Sequence, residues 1–74
     1  MLANKTILQM KYARIVKLFA EKMLLSYEDA LGFFYDSETY HLMSEGIADM
    51  HCLSDEHLAD ELVLEWKKKL HLEQ

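Results

Sequence analysis

The chain has 74 residues, a formal net charge of -5, no proline, two glycines and one cysteine. One cysteine excludes an intramolecular disulfide and favours the reducing cytoplasm, and no apolar run approaches the ~18 residues of a membrane span. Hydrophobic residues make up 51% of the chain and turn-forming residues are scarce, which predicts an all-α fold. We expect a single domain over residues 1–74, a small bundle of three to four helices.

The charges are divided into three blocks along the chain. Residues 1–22 hold five cations against one carboxylate, residues 23–66 hold eleven acidic residues and no lysine or arginine, and residues 67–74 hold three lysines against one glutamate. In one interpretation the basic ends pack against the acidic middle and neutralise it. In the other, the acidic surface binds a basic partner.

An amphipathic pattern predicts a first helix from about Asn4 to Met23. At ~100° per residue its apolar positions form one stripe, which comprises Leu8, Tyr12, Ile15, Val16, Phe19 and Met23. Ile7 and Leu18 fall outside that stripe, among the lysines. We interpret them as rim residues or as a small contact surface.

Two shorter helices follow, each opened by a serine. Ser26 is placed to accept a hydrogen bond from the backbone N–H of Asp29, and Ser37 opens the next helix, which Gly46 ends. The aromatic residues between the two serines are too dense to be all exposed. Gly32 lies among them and predicts a close approach by another element.

Residues 47–53 have no clean periodicity and are predicted to be a structured connection, with Ile47, Met50 and Leu53 facing inward. Ser54 caps the last helix, which runs to about Leu70. Its predicted core stripe comprises Leu58, Ala59, Leu62, Val63, Trp66 and Leu70. Leu64 points away from that stripe. Early carboxylates and late lysines in this helix suit the helix dipole.

The chain contains residue types that occur in metal and catalytic sites, but not at the spacing that such sites need. Asp49, His51, Cys52 and His57 are metal-ligand types, but their spacing fits no common zinc site, so we expect no metal and no cofactor. Neither Cys52 beside His51 nor Ser54 near His57 forms a nucleophile–base pair by sequence position alone. We therefore expect no catalytic residue and no enzymatic activity.

Residues 25–43 resemble a helix-turn-helix in outline, with residues 37–43 as the recognition helix. DNA binding needs cations to neutralise phosphates, and this stretch carries four carboxylates and no lysine or arginine. A DNA-binding transcriptional regulator is therefore the alternative function, and its electrostatics argue against nucleic acid as the partner.

Four segments in order carry a resemblance: IVKLFA at 15–20, LS at 25–26, SEGIADMH at 44–51 and LADEL at 58–62. Over residues 7–66 the chain resembles a family of short uncharacterised bacterial proteins, a domain of unknown function. Members of that family often stand beside toxin-like genes of the ADP-ribosyltransferase type. The resemblance implies an antitoxin-like or accessory role, and it marks His51 and the Asp60–Glu61 pair as family-like positions of unknown role.

The expected function is thus a non-catalytic protein-binding module in the cytoplasm, with a protein partner that the resemblance implies is toxin-like and with no membrane association. The candidate contact residues are an acidic belt, Asp49, Asp55, Glu56, Asp60 and Glu61, together with His51, Ile7, Leu18 and Leu64. A third hypothesis is an obligate homodimer whose interface completes the thin core of so short a chain.

Overall fold

The structure, a computed structural model, describes residues 5–46 and 53–72, with side chains for residues 9–46 and 53–70. These residues form four helices and no strand: α1 Lys5–Met23, α2 Tyr27–Asp36, α3 Glu38–Ser44 and α4 Asp55–Leu72. The predicted small all-α bundle is confirmed. The predicted start at Asn4 and the connection residues Ile47 and Met50 lie outside the described residues. No helix in the described ranges is long and apolar enough to cross a bilayer.

Serine side chains cap three of the helices. In each case the serine Oγ accepts a hydrogen bond from the backbone N–H three residues later, at 3.1, 3.0 and 3.1 Å for Ser26, Ser37 and Ser54. Each bond satisfies an N–H group that the first turn of a helix leaves without a partner. The three predicted caps are therefore confirmed.

The core lies where α1 packs against both α2 and α4, while α3 joins α2 to α4. The apolar side chains with no exposed surface are Ile15, Val16, Phe19, Ala30, Phe34, Leu58, Ala59 and Leu62. The Trp66 ring stands edge-on to Phe33 at 5.0 Å between centroids and to Phe19 at 6.1 Å. A large apolar side chain contributes about 1.5–3 kcal/mol when fully buried, so these contacts hold the helices together.

The turn between α1 and α2 sends one leucine inward and one outward. Leu24 adopts a left-handed conformation with φ 57°, and the N–H of Leu25 donates to the carbonyl of Ala20 at 2.9 Å. This is the hydrogen bond of a Schellman motif, in which a glycine usually holds the left-handed position. Leu25 packs against the core, whereas Leu24 is 93% exposed.

Two predicted placements are wrong. A Cβ built on Gly32 has nothing within 4 Å among the described residues, so none of the four helices approaches it closely there. Leu70 is 49% exposed because it lies a full turn beyond Trp66, past the core. Leu18 is half-buried against the core, which agrees with its interpretation as a rim residue, and Leu53 packs inward as predicted.

The two glycines should respond oppositely to alanine. Gly32→Ala is expected to stabilise the protein by up to about 1 kcal/mol, since alanine favours the helix and the added methyl group meets open space. Gly46→Ala should destabilise it, because Gly46 has φ 69°. Urea denaturation of both variants checks the pair, and a loss of stability in Gly32→Ala would contradict the open surface around that glycine.

Candidate functional site

Asp55 of the predicted acidic belt is held by two cations of α1. Arg14 Nε donates to Asp55 Oδ2 at 2.7 Å, and Lys11 Nζ donates to Asp55 Oδ1 at 3.0 Å. Lys11 Nζ also donates to the carbonyl oxygen of Leu53 at 2.7 Å. We call Lys11, Arg14 and Asp55 the Asp55 clasp. It ties the first turn of α4 to the middle of α1.

The Asp55 clasp lowers the pKa of the Asp55 carboxyl group. Burial alone would raise the pKa of Asp55, but hydrogen bonds from Arg14 and Lys11 outweigh it and hold that pKa below its ordinary value of 3.8. Nearby cations favour the charged form of a carboxylate, so Asp55 stays ionised in the folded protein. The negative charge of Asp55 is therefore matched by cations of α1.

Two further carboxylates of the belt share one lysine. Lys22 Nζ lies 3.1 Å from Glu56 Oε2 and 3.2 Å from Asp60 Oδ1, and hydrogen bonds to Glu56 and Asp60 raise the pKa of Lys22. Glu61 faces His57, with 3.6 Å between Oε1 and Nε2. Cations of α1 thus neutralise much of the charge on α4, which is what the first interpretation of the charge blocks proposed.

The other predicted contact residues are placed as follows. Leu64 is exposed on α4, as its position outside the core stripe predicted, at 55%. Ile7 belongs to α1, but its side chain is not among those described. Asp49 and His51 lie outside the described residues. Leu18, half-buried against the core, offers little surface to a partner.

The start of α3 is capped by a carboxylate from α4. Glu65 accepts from the backbone N–H of Glu38 at 2.8 Å, from the N–H of Thr39 at 3.0 Å and from the Thr39 hydroxyl. A negative charge there also suits the positive end of the helix dipole. Glu65 was not among the candidate residues. The sequence feature that could have indicated it is its spacing, since Glu65 follows the buried Leu62 by three residues and the buried Leu58 by seven.

An open groove of about 240 Å³ lies between α1 and α2. From α2 it is lined by Tyr27, Leu31 and Tyr35, which repeat every four residues along one side of the helix. From α1 it is lined by Gln9, Tyr12 and Ala13. We call this the tyrosine groove. Sequence reasoning missed it, although the four-residue spacing in α2 was the signal that could have found it.

The tyrosines of the groove are partly open to solvent. Tyr27 is 46% exposed and Tyr35 52% exposed, whereas Tyr12 packs against the core. Burial raises the pKa of Tyr12, and the neighbouring Tyr40 and Tyr35 raise it further. The Tyr12 hydroxyl therefore stays protonated and can donate or accept a hydrogen bond at the inner wall of the groove.

The α2 edge of the groove is acidic. Glu28 follows Tyr27 and Asp36 follows Tyr35, both carboxylates are exposed, and neither forms an ion pair within the part of the chain that the structure describes. Residues 24–46 hold five acidic residues and no lysine or arginine. Among the described side chains, carboxylates without a matching lysine or arginine thus occur on α2, where Glu28 and Asp36 directly follow two residues that line the tyrosine groove.

Among the described side chains, no three His, Cys, Asp or Glu residues are arranged to hold a metal ion. Of the four residues considered as metal ligands in the sequence, only His57 is described. It lies in the first turn of α4 with its ring near Glu61.

The chain matches no protein-family model, no curated protein and no solved structure.

Asp55→Asn is expected to destabilise the protein at neutral pH by about 1–2 kcal/mol, because the amide keeps an acceptor oxygen for only one of the two donors and leaves Lys11 without its counter-ion. The folded pKa of Asp55 is depressed, so its contribution is complete above the unfolded pKa and is lost as pH falls through the folded pKa. As pH falls below about 4, the ordinary pKa of an aspartate, the wild type should therefore lose more stability than the variant.

Urea denaturation at a series of pH values measures this difference. Asp36→Asn is the matched control, because Asp36 is exposed and forms no ion pair with a described residue. Parallel pH profiles for the wild type and Asp55→Asn would contradict the role of the clasp.

Proposed function

We propose that the protein is a non-catalytic protein-binding module and that the tyrosine groove is its docking surface. The observation that carries this proposal is the half-exposed pair Tyr27 and Tyr35, which line an open groove. Tyrosine is enriched at the energetic centres of protein interfaces, since it offers a large rigid surface and a polar tip. A partner that fills the groove would remove both rings from water.

The charge beside the groove supports a basic partner segment. The carboxylates of α4 are matched by Lys11, Arg14 and Lys22, whereas Glu28 and Asp36 on α2 form no ion pair with a described residue. A field of one sign attracts a partner of the other sign and raises its association rate. The electrostatic role expected of the acidic belt on α4 is therefore proposed for α2.

An antitoxin-like or accessory role remains a proposal that rests on the family resemblance. A small module with an aromatic groove suits such a role, because it can neutralise a partner by covering part of its surface without chemistry of its own. The single cysteine, Cys52, supports the cytoplasm as the proposed compartment. We propose no cofactor.

The DNA-binding alternative receives less support from the geometry. A helix-turn-helix joins its helices by three or four residues, but α2 and α3 are joined by Ser37 alone. A recognition helix reads base edges with its N-terminal residues, and here Glu65 occupies that end of α3. A gel shift at low salt that showed retardation would favour this alternative.

Co-expression with the product of the adjacent gene, followed by calorimetry on the purified pair, tests the proposal. Tyr27→Ser is expected to weaken binding about tenfold or more, because it removes an aromatic anchor. Glu28→Lys should slow association, most strongly at low salt.

The control is Leu70→Ser, which removes an apolar side chain of similar exposure on α4, away from the groove. The groove is the wrong surface if Leu70→Ser weakens binding as much as Tyr27→Ser does.

A further inference from the structure

The outer face of α4 carries one apolar residue between two pairs of opposite charge. Leu58, Ala59 and Leu62 are buried on the inner face, while Leu64 lies about 200° round the helix from Leu62 and is exposed. Residues three and four positions away share a helix face. Those residues are Asp60 and Glu61 on one side of Leu64 and Lys67 and Lys68 on the other.

This face is complementary to itself when two helices run antiparallel. If a two-fold axis passes through Leu64, each residue before it faces the residue equally far after it on the second helix. Asp60 then faces Lys68 of the partner subunit, and Glu61 faces Lys67 of the partner subunit. Each pair occurs twice around the axis, and the two leucines meet at the centre. A parallel arrangement would set like charges against each other.

The existing contacts of these carboxylates leave room for a second cation. Asp60 uses only Oδ1 toward Lys22, and its side chain is 62% exposed. Glu61 lies 3.6 Å from His57 and its side chain is 43% exposed. Lys67 and Lys68 are exposed and form no ion pair with a described residue. Antiparallel packing also opposes the two helix dipoles, which is favourable.

We infer that a second copy of this chain binds this face, so that the protein forms an antiparallel α4–α4 dimer with Leu64 on the two-fold axis. The tyrosine groove lies between α1 and α2, so the dimer presents two grooves, and the inference does not rest on what fills them. Exposed ion pairs are individually weak and are screened by salt. The dimer is therefore in reversible equilibrium with the monomer, and added salt shifts it toward the monomer.

A charge swap across the axis tests this dimer. In Glu61→Lys, each Lys67 faces a lysine across the axis instead of a glutamate. In Lys67→Glu, each Glu61 faces a glutamate across the axis instead of a lysine. Each variant alone should dimerise at least about tenfold more weakly than the wild type. An equimolar mixture of the two variants restores opposite charges and should form a heterodimer. Sedimentation equilibrium from micromolar to millimolar concentration measures all four samples.

Glu28→Lys is the control for Glu61→Lys, because it changes the net charge in the same direction and by the same amount but lies on α2. Circular dichroism shows whether each variant retains its helices. In a Cys52→Ser background, Leu64→Cys should give a disulfide-linked dimer on mild oxidation, and Tyr27→Cys should not. A wild type that stays monomeric throughout the range overturns the inference. So does a wild-type dimer that neither charge variant weakens, or a mixture that does not associate.

Discussion

Asp55 fixes how the two long helices of this protein meet. It lies more than forty residues from Lys11 and Arg14 in sequence, yet its two oxygens accept one hydrogen bond from each. Ridges of apolar side chains set the angle at which two helices pack, and a carboxylate held by two donors adds a directional contact that favours one register. With α1 and α4 set in this way, Phe19 and Trp66 come within contact distance, and α2 packs its Phe33 ring against both.

The same contacts decide which charges remain at the surface. Because Lys11, Arg14 and Lys22 are matched by Asp55, Glu56 and Asp60, these three cations are not available to balance α2 and α3. A chain with a net charge of -5 therefore has two kinds of surface. One is a mixed surface along α1 and α4, and the other is an acidic surface beside an aromatic groove. The proposed contacts with a partner protein and with a second copy use these two surfaces separately.

Local signals in the sequence predicted the helices well, because their causes lie within a few residues. The serine caps are examples, as is Gly46 at the end of α3. Signals that depend on a distant element failed. Gly32 suggested a close approach that none of the described helices makes, and Leu70, which was predicted to belong to the core stripe, is 49% exposed. The tyrosine groove was hidden for the same reason, since the pattern in α2 does not show which side of the helix α1 leaves uncovered. The exposure of Leu64 could be predicted from the sequence of α4, because its position outside the core stripe depends on no other helix.

The cap that Glu65 places on α3 also bears on the order in which the chain acquires its structure during synthesis. Seven residues are too few for a helix that is stable by itself, and Ser37 supplies only one of the bonds at its start. The ribosome releases the N-terminal residues first, so α1 and α2 can pair while α3 still lacks its carboxylate. Native structure at residues 38–44 is completed only when residue 65 has emerged and α4 has docked. Formation of α3 therefore requires α4.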